Sequence, residues 1–234
     1  MILLNLDMLL HEPMEFLKLL ACMLPVMLIS LTLHEWGHAF AAHKCGDDTA
    51  RNLGRMTMNP LKHIDPIGFV MILLVGFGWA KPVPVNPRNY RNYKRGEVIV
   101  SLAGVTMNLL LAIVFSVAFV PLYRMYMQSF LYSSNPYPWL QNGLLIQIIM
   151  YGVCLNLALC LFNLLPFYPL DGYHVFELIF AKRLPMKVFL FLRRYGQFIL
   201  IGLLLVFRLT GFHPIAELAN LVIDWLSRLA FKLL

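Results

Sequence analysis

Residues 16–42 read FLKLLACMLPVMLISLTLHEWGHAFAA, an apolar run interrupted only by Lys18, Pro25 and the cluster His34, Glu35 and His38. As a helix rising about 1.5 Å per residue this run is roughly 40 Å long. It crosses the roughly 30 Å of bilayer hydrocarbon with tilt, and its polar cluster then falls within the membrane or near its far edge. The remainder of the chain has the same character. Of 234 residues, 60% are hydrophobic and 13% charged, whereas about a quarter of the residues of a soluble domain carry charge.

Asp7, Glu12 and Glu15 precede the run, while a cleavable signal peptide begins with a basic region, so this first segment is expected to stay with the protein. The net charge of +7 does not point to nucleic acid. Lys and Arg sit in short runs between apolar segments, as in a polytopic protein meeting anionic headgroups, and no basic module with interleaved aromatics appears. Cys22, Cys45, Cys154 and Cys160 have neither CxxC spacing nor the pattern of a disulfide framework, and read as small hydrophobes.

Outward from the first run, further spans are expected at 98–120, 143–165 and 189–209. The stretch 64–80 is short and glycine-bearing, and reads as either a tilted span or a re-entrant segment. The prolines of 82–87 exclude a helix interior and a central strand, which leaves an extended edge. Residues 121–142 read as a loop. Glu217, Asn220, Asp224, Arg228 and Lys232 recur at spacings of three and four, one polar stripe on a helix.

The fold expected is an all-α polytopic bundle of about five to six transmembrane helices with a short re-entrant or edge-strand segment. One integral-membrane domain, 1–234, is expected, with a core over 16–210 and an amphipathic C-terminal helix over 213–234. Positive charge places 81–95 and 182–194 on the cytoplasmic side of a cell membrane and 121–142 outside. The basic loop 44–62 conflicts with a fully spanning 64–80.

His34-Glu35-Trp36-Gly37-His38 has the form HExxH. On a helix both histidines share one face, with the glutamate beside the ion they would hold. That geometry suits a zinc ion that acidifies a water molecule while the glutamate takes its proton during attack on a carbonyl. Five residues alone are a weak pattern, but ionisable groups inside an apolar span are costly and usually functional. A third protein ligand is required. Asp171 follows a proline-broken apolar run and is the leading candidate, with a helix N-cap as its other reading. Asp65 and Glu177 are rivals, and His43, His63 and His174 weaker ones, His174 also suiting an outer-shell role. Asn108, Asn156 and Asn163 stand inside spans, where interhelical hydrogen bonding is the usual role. Asn156 and Asn163, seven apart, are also placed to line a water path.

The chain resembles the site-2 protease family of intramembrane zinc metalloproteases, in its compact form without PDZ or CBS domains. His34 to His38 is similar to the family's metal motif, and Asn163-Leu164-Leu165-Pro166 through Leu170-Asp171-Gly172 to its NxxPxxxLDG signature. Gly54 to Pro60, His63 to Pro66 and Gly76 to Asn86 resemble the intervening stretches, and Ala103-Gly104 with Asn108 the AGPxxN element. Tyr168, Tyr173 and Val105 depart from the pattern, and Tyr173 is expected to narrow the site.

The resemblance implies one Zn²⁺ per chain held by His34, His38 and Asp171, with Glu35 as general base and Asn163 near the oxyanion. It implies a transmembrane protein as substrate, cut within or beside its membrane segment in the lipid bilayer. Two other functions compete: a catalytically silent relative that binds membrane segments, and a metal or ion transporter using the same residues.

Overall fold

A computed structural model describes residues 6–75, 78–131, 140, 143–211 and 214–232. The described residues form helices joined by short loops, with one isolated antiparallel bridge between Ile64 and Ala80. The helices are α1 (Leu6–His11), α2 (Pro13–Cys45), α3 (Thr49–Asn52), α4 (Pro66–Val75), α5 (Tyr93–Leu131), α6 (Leu144–Asn163), α7 (Asp171–Phe180), α8 (Met186–Thr210) and α9 (Pro214–Lys232). Among the described residues, four helices (α2, α5, α6 and α8) are long and apolar enough to cross a membrane. The protein is an all-α polytopic membrane protein.

The first span runs beyond its apolar core at both ends. Pro13 opens α2, where its missing N–H is harmless. Gly46 closes it in the left-handed region, φ 110°, a conformation that costs a residue without Cβ least. Its N–H bonds the carbonyl of His43, and the next N–H, on Asp47, bonds that of Ala42, which satisfies the free carbonyls of the last turn.

α5 packs along both α2 and α6, and α2 packs on α6, so three spans form the centre of the bundle. Glycines set the closeness of approach. A Cβ at Gly37 would stand 2.7 Å from Cγ of Met107 and 3.1 Å from the carbonyl oxygen of Ala103, and one at Gly152 would meet the ring of Phe115. In lipid, where apolar burial favours no helix pair, such small-residue contacts let dispersion hold helices together.

Residues 121–131, expected as loop, continue α5 through Pro121. The reason is packing: Tyr123 and Tyr126 join the buried cluster of Phe119, Ile146, Val153 and Leu226 that binds α5, α6 and α9. The remainder of that expected loop, apart from Leu140, lies outside the described residues. α9 presses Ala219, Leu226 and Ala230 inward and exposes its polar stripe from Glu217 to Lys232. Leu218, Leu221, Trp225 and Phe231 are also exposed, so α9 combines bundle packing with a face suited to the interface.

The segment 64–80 does not cross. α4 has ten residues, about 15 Å, and the chain then returns so that Ala80 pairs with Ile64 and the N–H of Lys81 bonds the carbonyl of His63 at 2.9 Å. The two arms cross glycine on glycine, since a Cβ on Gly78 would overlap the backbone of Gly68. This re-entrant path resolves the charge conflict, because the basic loops 44–62 and 81–95 leave and rejoin the bundle at one end. The N–H of Arg91 bonds the carbonyl of Cys45 there at 2.9 Å.

Candidate metal centre

One turn of α2 places His34 and His38 on the same face, with Glu35 beside them, each less than a tenth exposed. His34 stands eleven residues from the end of α2 and Gly104 eleven residues from the start of α5, so the face lies about 17 Å from the basic end of both helices. Gly104 is what lets the imidazoles lie against α5. A Cβ there would stand 2.7 Å from Nε2 of His34 and nearer still to Nε2 of His38.

Asp171 arrives from the other side of the site. After α6 the chain breaks over 164–170 and folds back tightly, for a Cβ on Gly172 would overlap the carbonyl of Leu164. Asp171 is the first residue of α7, whose N-cap is Leu170, so it does not act as the N-cap. Its Oδ2 lies 3.4 Å from Nε2 of His34 and 3.3 Å from Nε2 of His38, while the two Nε2 atoms are 3.1 Å apart.

These three atoms have the proportions of a metal site. Ligands about 2.0–2.1 Å from a tetrahedral zinc ion are separated by about 3.3 Å, and the observed edges are 3.1, 3.3 and 3.4 Å. Oδ2 of Asp171 is buried without a hydrogen-bond partner, an arrangement costly for a carboxylate unless a cation satisfies it. The far sides of both rings are fixed. Nδ1 of His38 lies 2.7 Å from the carbonyl of Val100, which can only accept, so Nδ1 carries a proton and the neutral ring presents its lone pair at Nε2. Nδ1 of His34 lies 2.6 Å from Oδ1 of Asn108. Two imidazoles and one carboxylate fit zinc.

The rival residues are occupied elsewhere. Asp65 accepts from the N–H of Gly68 at 2.8 Å at the start of α4, Glu177 pairs with Arg193 at 2.9 Å, and His43 pairs with Asp48 at 2.5 Å. His63 is buried with Nε2 2.8 Å from the carbonyl of Thr57. His174 faces Glu97 of α5 at 3.2 Å. The hydroxyl of Tyr173 donates to the carbonyl of Phe189 at 3.3 Å and accepts from Nε of Arg193 at 3.1 Å, so this residue ties α7 to α8. Asn163 donates to the carbonyl of Leu159 at 2.9 Å. Asn156, expected to line a water path, is fully buried, and its amide is committed to protein partners.

Sequence reasoning missed two features. The proline-rich segment 82–87 reaches the site itself: the N–H of Val83 donates to Oε2 of Glu35 at 2.8 Å. Asp47 anchors this segment. Fully buried, it accepts from the N–H of Asn86 at 2.6 Å, from Nδ2 of Asn89 at 2.8 Å and from the N–H and hydroxyl of Thr49. Burial opposes its charge, but these donors outweigh that effect and hold the carboxyl below the usual carboxylate range. Arg55 adds bonds to the carbonyls of Lys81 and Pro82 at 2.8 and 3.3 Å. The only sequence signal for Asp47 was an acid directly after a helix-ending glycine.

Residues 22–207 match the profile of peptidase family M50. The Bacillus subtilis (strain 168) protein named "Putative zinc metalloprotease YwhC" is 41% identical over 173 residues, covering 73% of each chain. Two mycobacterial proteins, each named "Putative zinc metalloprotease Rip2", are also similar. The one from Mycolicibacterium smegmatis is 35% identical over 107 residues, 44% of this chain and 41% of its own. The one from Mycobacterium tuberculosis (strain H37Rv) is 28% identical over 170 residues, 71% and 60% respectively. No solved structure matches. The chain therefore belongs to peptidase family M50, the site-2 protease family, and is a zinc metalloprotease of that type.

Proposed function

We propose that the protein hydrolyses peptide bonds within or next to transmembrane segments of other membrane proteins, in the cell membrane. The observation that carries this reading is the buried triangle of His34 Nε2, His38 Nε2 and Asp171 Oδ2, set about 17 Å along apolar helices with the Glu35 carboxylate one residue away. In this reading those three side chains hold the ion. Zinc bound there would acidify a water molecule and polarise the scissile carbonyl.

The chain's own groups account for the remaining requirements. Glu35, oriented through one oxygen by Val83, accepts the proton of the attacking water with the other and passes it to the leaving amine. Asn163 uses one amide hydrogen on Leu159, and its second N–H serves as the oxyanion donor. A substrate helix shields its peptide bonds with its own hydrogen bonds, so it must unwind before cleavage. The edge 82–87 supports pairing with the unwound strand. Val85 is more than a third exposed and makes no backbone hydrogen bond among the described residues. Val83 is unsuited to test this pairing, because its N–H already orients Glu35. Val85→Pro, which removes this donor, is expected to abolish cleavage with zinc retained, and unchanged cleavage excludes strand pairing through Val85.

Glu35→Gln tests the function as a whole. The expected result is one zinc per chain with no cleavage of a membrane-segment substrate in detergent or liposomes. Retained cleavage overturns the role of Glu35. Zinc flux across liposomes that survives in the variant would instead support a transporter.

A further inference from the structure

A line of buried polar side chains runs away from the metal face. Nδ1 of His34 meets Oδ1 of Asn108 at 2.6 Å, and Nδ2 of Asn108 donates to Oδ1 of Asn156 at 3.0 Å. Nδ2 of Asn156 donates to both Oγ of Ser30 at 2.9 Å and the carbonyl of Gly152 at 2.8 Å, and the Ser30 hydroxyl donates to the carbonyl of Val26 at 2.7 Å. Ser30, Asn108 and Asn156 are each 0% exposed. Buried Ser and Asn ordinarily bond helices to one another; this line differs in ending on an imidazole of the metal face.

The direction of this line is not free. The carbonyls of Gly152 and Val26 only accept. Turning the Asn156 amide over would set its oxygen against the Gly152 carbonyl and against a hydroxyl whose proton is already donated to Val26. Asn156 therefore presents Oδ1 to Asn108, Asn108 must donate to it, and Oδ1 of Asn108 is left facing His34. Only a protonated Nδ1 suits that oxygen, so Nε2 keeps its lone pair on the side of Asp171 and His38.

We propose that Ser30, Asn156 and Asn108 are positioning residues that act in series, fixing the tautomer and ring angle of His34 from two backbone carbonyls on α2 and α6. The proposal rests on the reading of His34 as a zinc ligand. His38 obtains the same result directly from Val100, whereas His34 depends on three helices staying in register. Outer-shell partners of a metal-binding histidine typically contribute 10–100-fold in affinity.

The test is a double-mutant cycle on zinc affinity, measured by chelator competition on the full chain in detergent. Asn108→Leu is expected to weaken zinc binding about 10–100-fold and Asn156→Leu about tenfold. In the Asn108→Leu background, Asn156→Leu is expected to add less than about twofold, because Asn156 acts through Asn108. Equal losses in both backgrounds show a merely structural Asn156 and overturn the series. A second measurement needs no variant: ¹⁵N chemical shifts of the metal-free wild-type chain are expected to show the proton of His34 on Nδ1, and an unprotonated Nδ1 overturns the proposal even if the leucine variants do not fold. A wild-type chain that binds no zinc overturns the ligand reading itself, a result distinct from zinc binding without coupling.

Discussion

Replacing Gly104 with alanine strikes the metal centre at its tightest point. The new methyl carbon would stand 2.6 Å from Cε1 and 2.7 Å from Nε2 of His34, and nearer to Nε2 of His38. Ordinary non-bonded contact needs about 3.5 Å, so the two rings must retreat by at least about 0.8 Å. Metal–ligand distances tolerate about 0.2 Å, a quarter of that shift, and at least one imidazole leaves coordination. Because His34 and His38 share one turn of α2, and their Nδ1 atoms are held by Asn108 and Val100, neither ring retreats without breaking a further bond. Zinc affinity is expected to fall at least about 100-fold, or about 2.8 kcal/mol. The helix itself is not the casualty, since alanine favours a helix interior over glycine by about 0.5–1 kcal/mol. The assay is zinc content by mass spectrometry and affinity by chelator competition on detergent-purified protein, with a thermal melt in parallel. One zinc per chain, held within about threefold of the wild-type affinity, would refute the reasoning.

Asp171→Ala is expected to abolish stoichiometric zinc binding, while Glu177→Ala and His63→Ala retain it; metal content of the three variants, purified side by side, decides. Asp47 contributes stability that is complete above its unfolded value near pH 4 and is lost as pH falls through its lower folded value. Melting temperature is therefore expected to fall in acid, and Asp47→Asn to lower it at neutral pH while flattening the acid dependence; an unchanged pH profile removes Asp47 as the anchor. Gly68→Val places a side chain on the carbonyl of Trp79 and is expected to open the re-entrant segment, so that zinc is retained and cleavage lost. Full activity in that variant would show that the segment's closure is not needed.

The membrane helices were legible because their cause is local. An apolar run long enough to cross a bilayer reads the same in any tertiary context, and 16–42, 98–120, 143–165 and 189–209 all became helices. What a run does when it is short is not local. Residues 64–80 have the composition of a span, and the closure of Ile64 on Ala80 with glycine meeting glycine makes them re-entrant. Residues 121–131 read as part of a loop, yet α5 passes through Pro121 because Tyr123 and Tyr126 gain partners on α6 and α9. Both differences come from contacts between segments far apart in the chain.

By itself the sequence determined that the protein lives in a membrane, that His34 and His38 share a helix face with Glu35 between them, and that a third protein ligand was needed to complete the set. It left Asp171, Asp65, Glu177 and several histidines in competition on the residues alone. Only tertiary structure separated them, because ligation depends on distances among side chains 137 positions apart: among the described residues Asp171 alone brings a carboxylate oxygen within 3.3–3.4 Å of both imidazoles, while each rival is held by a partner elsewhere. The contact of Val83 with Glu35 and the buried line from His34 to Ser30 were equally out of reach. Their residues are ordinary in type and spacing, and acquire direction only when three helices close around them.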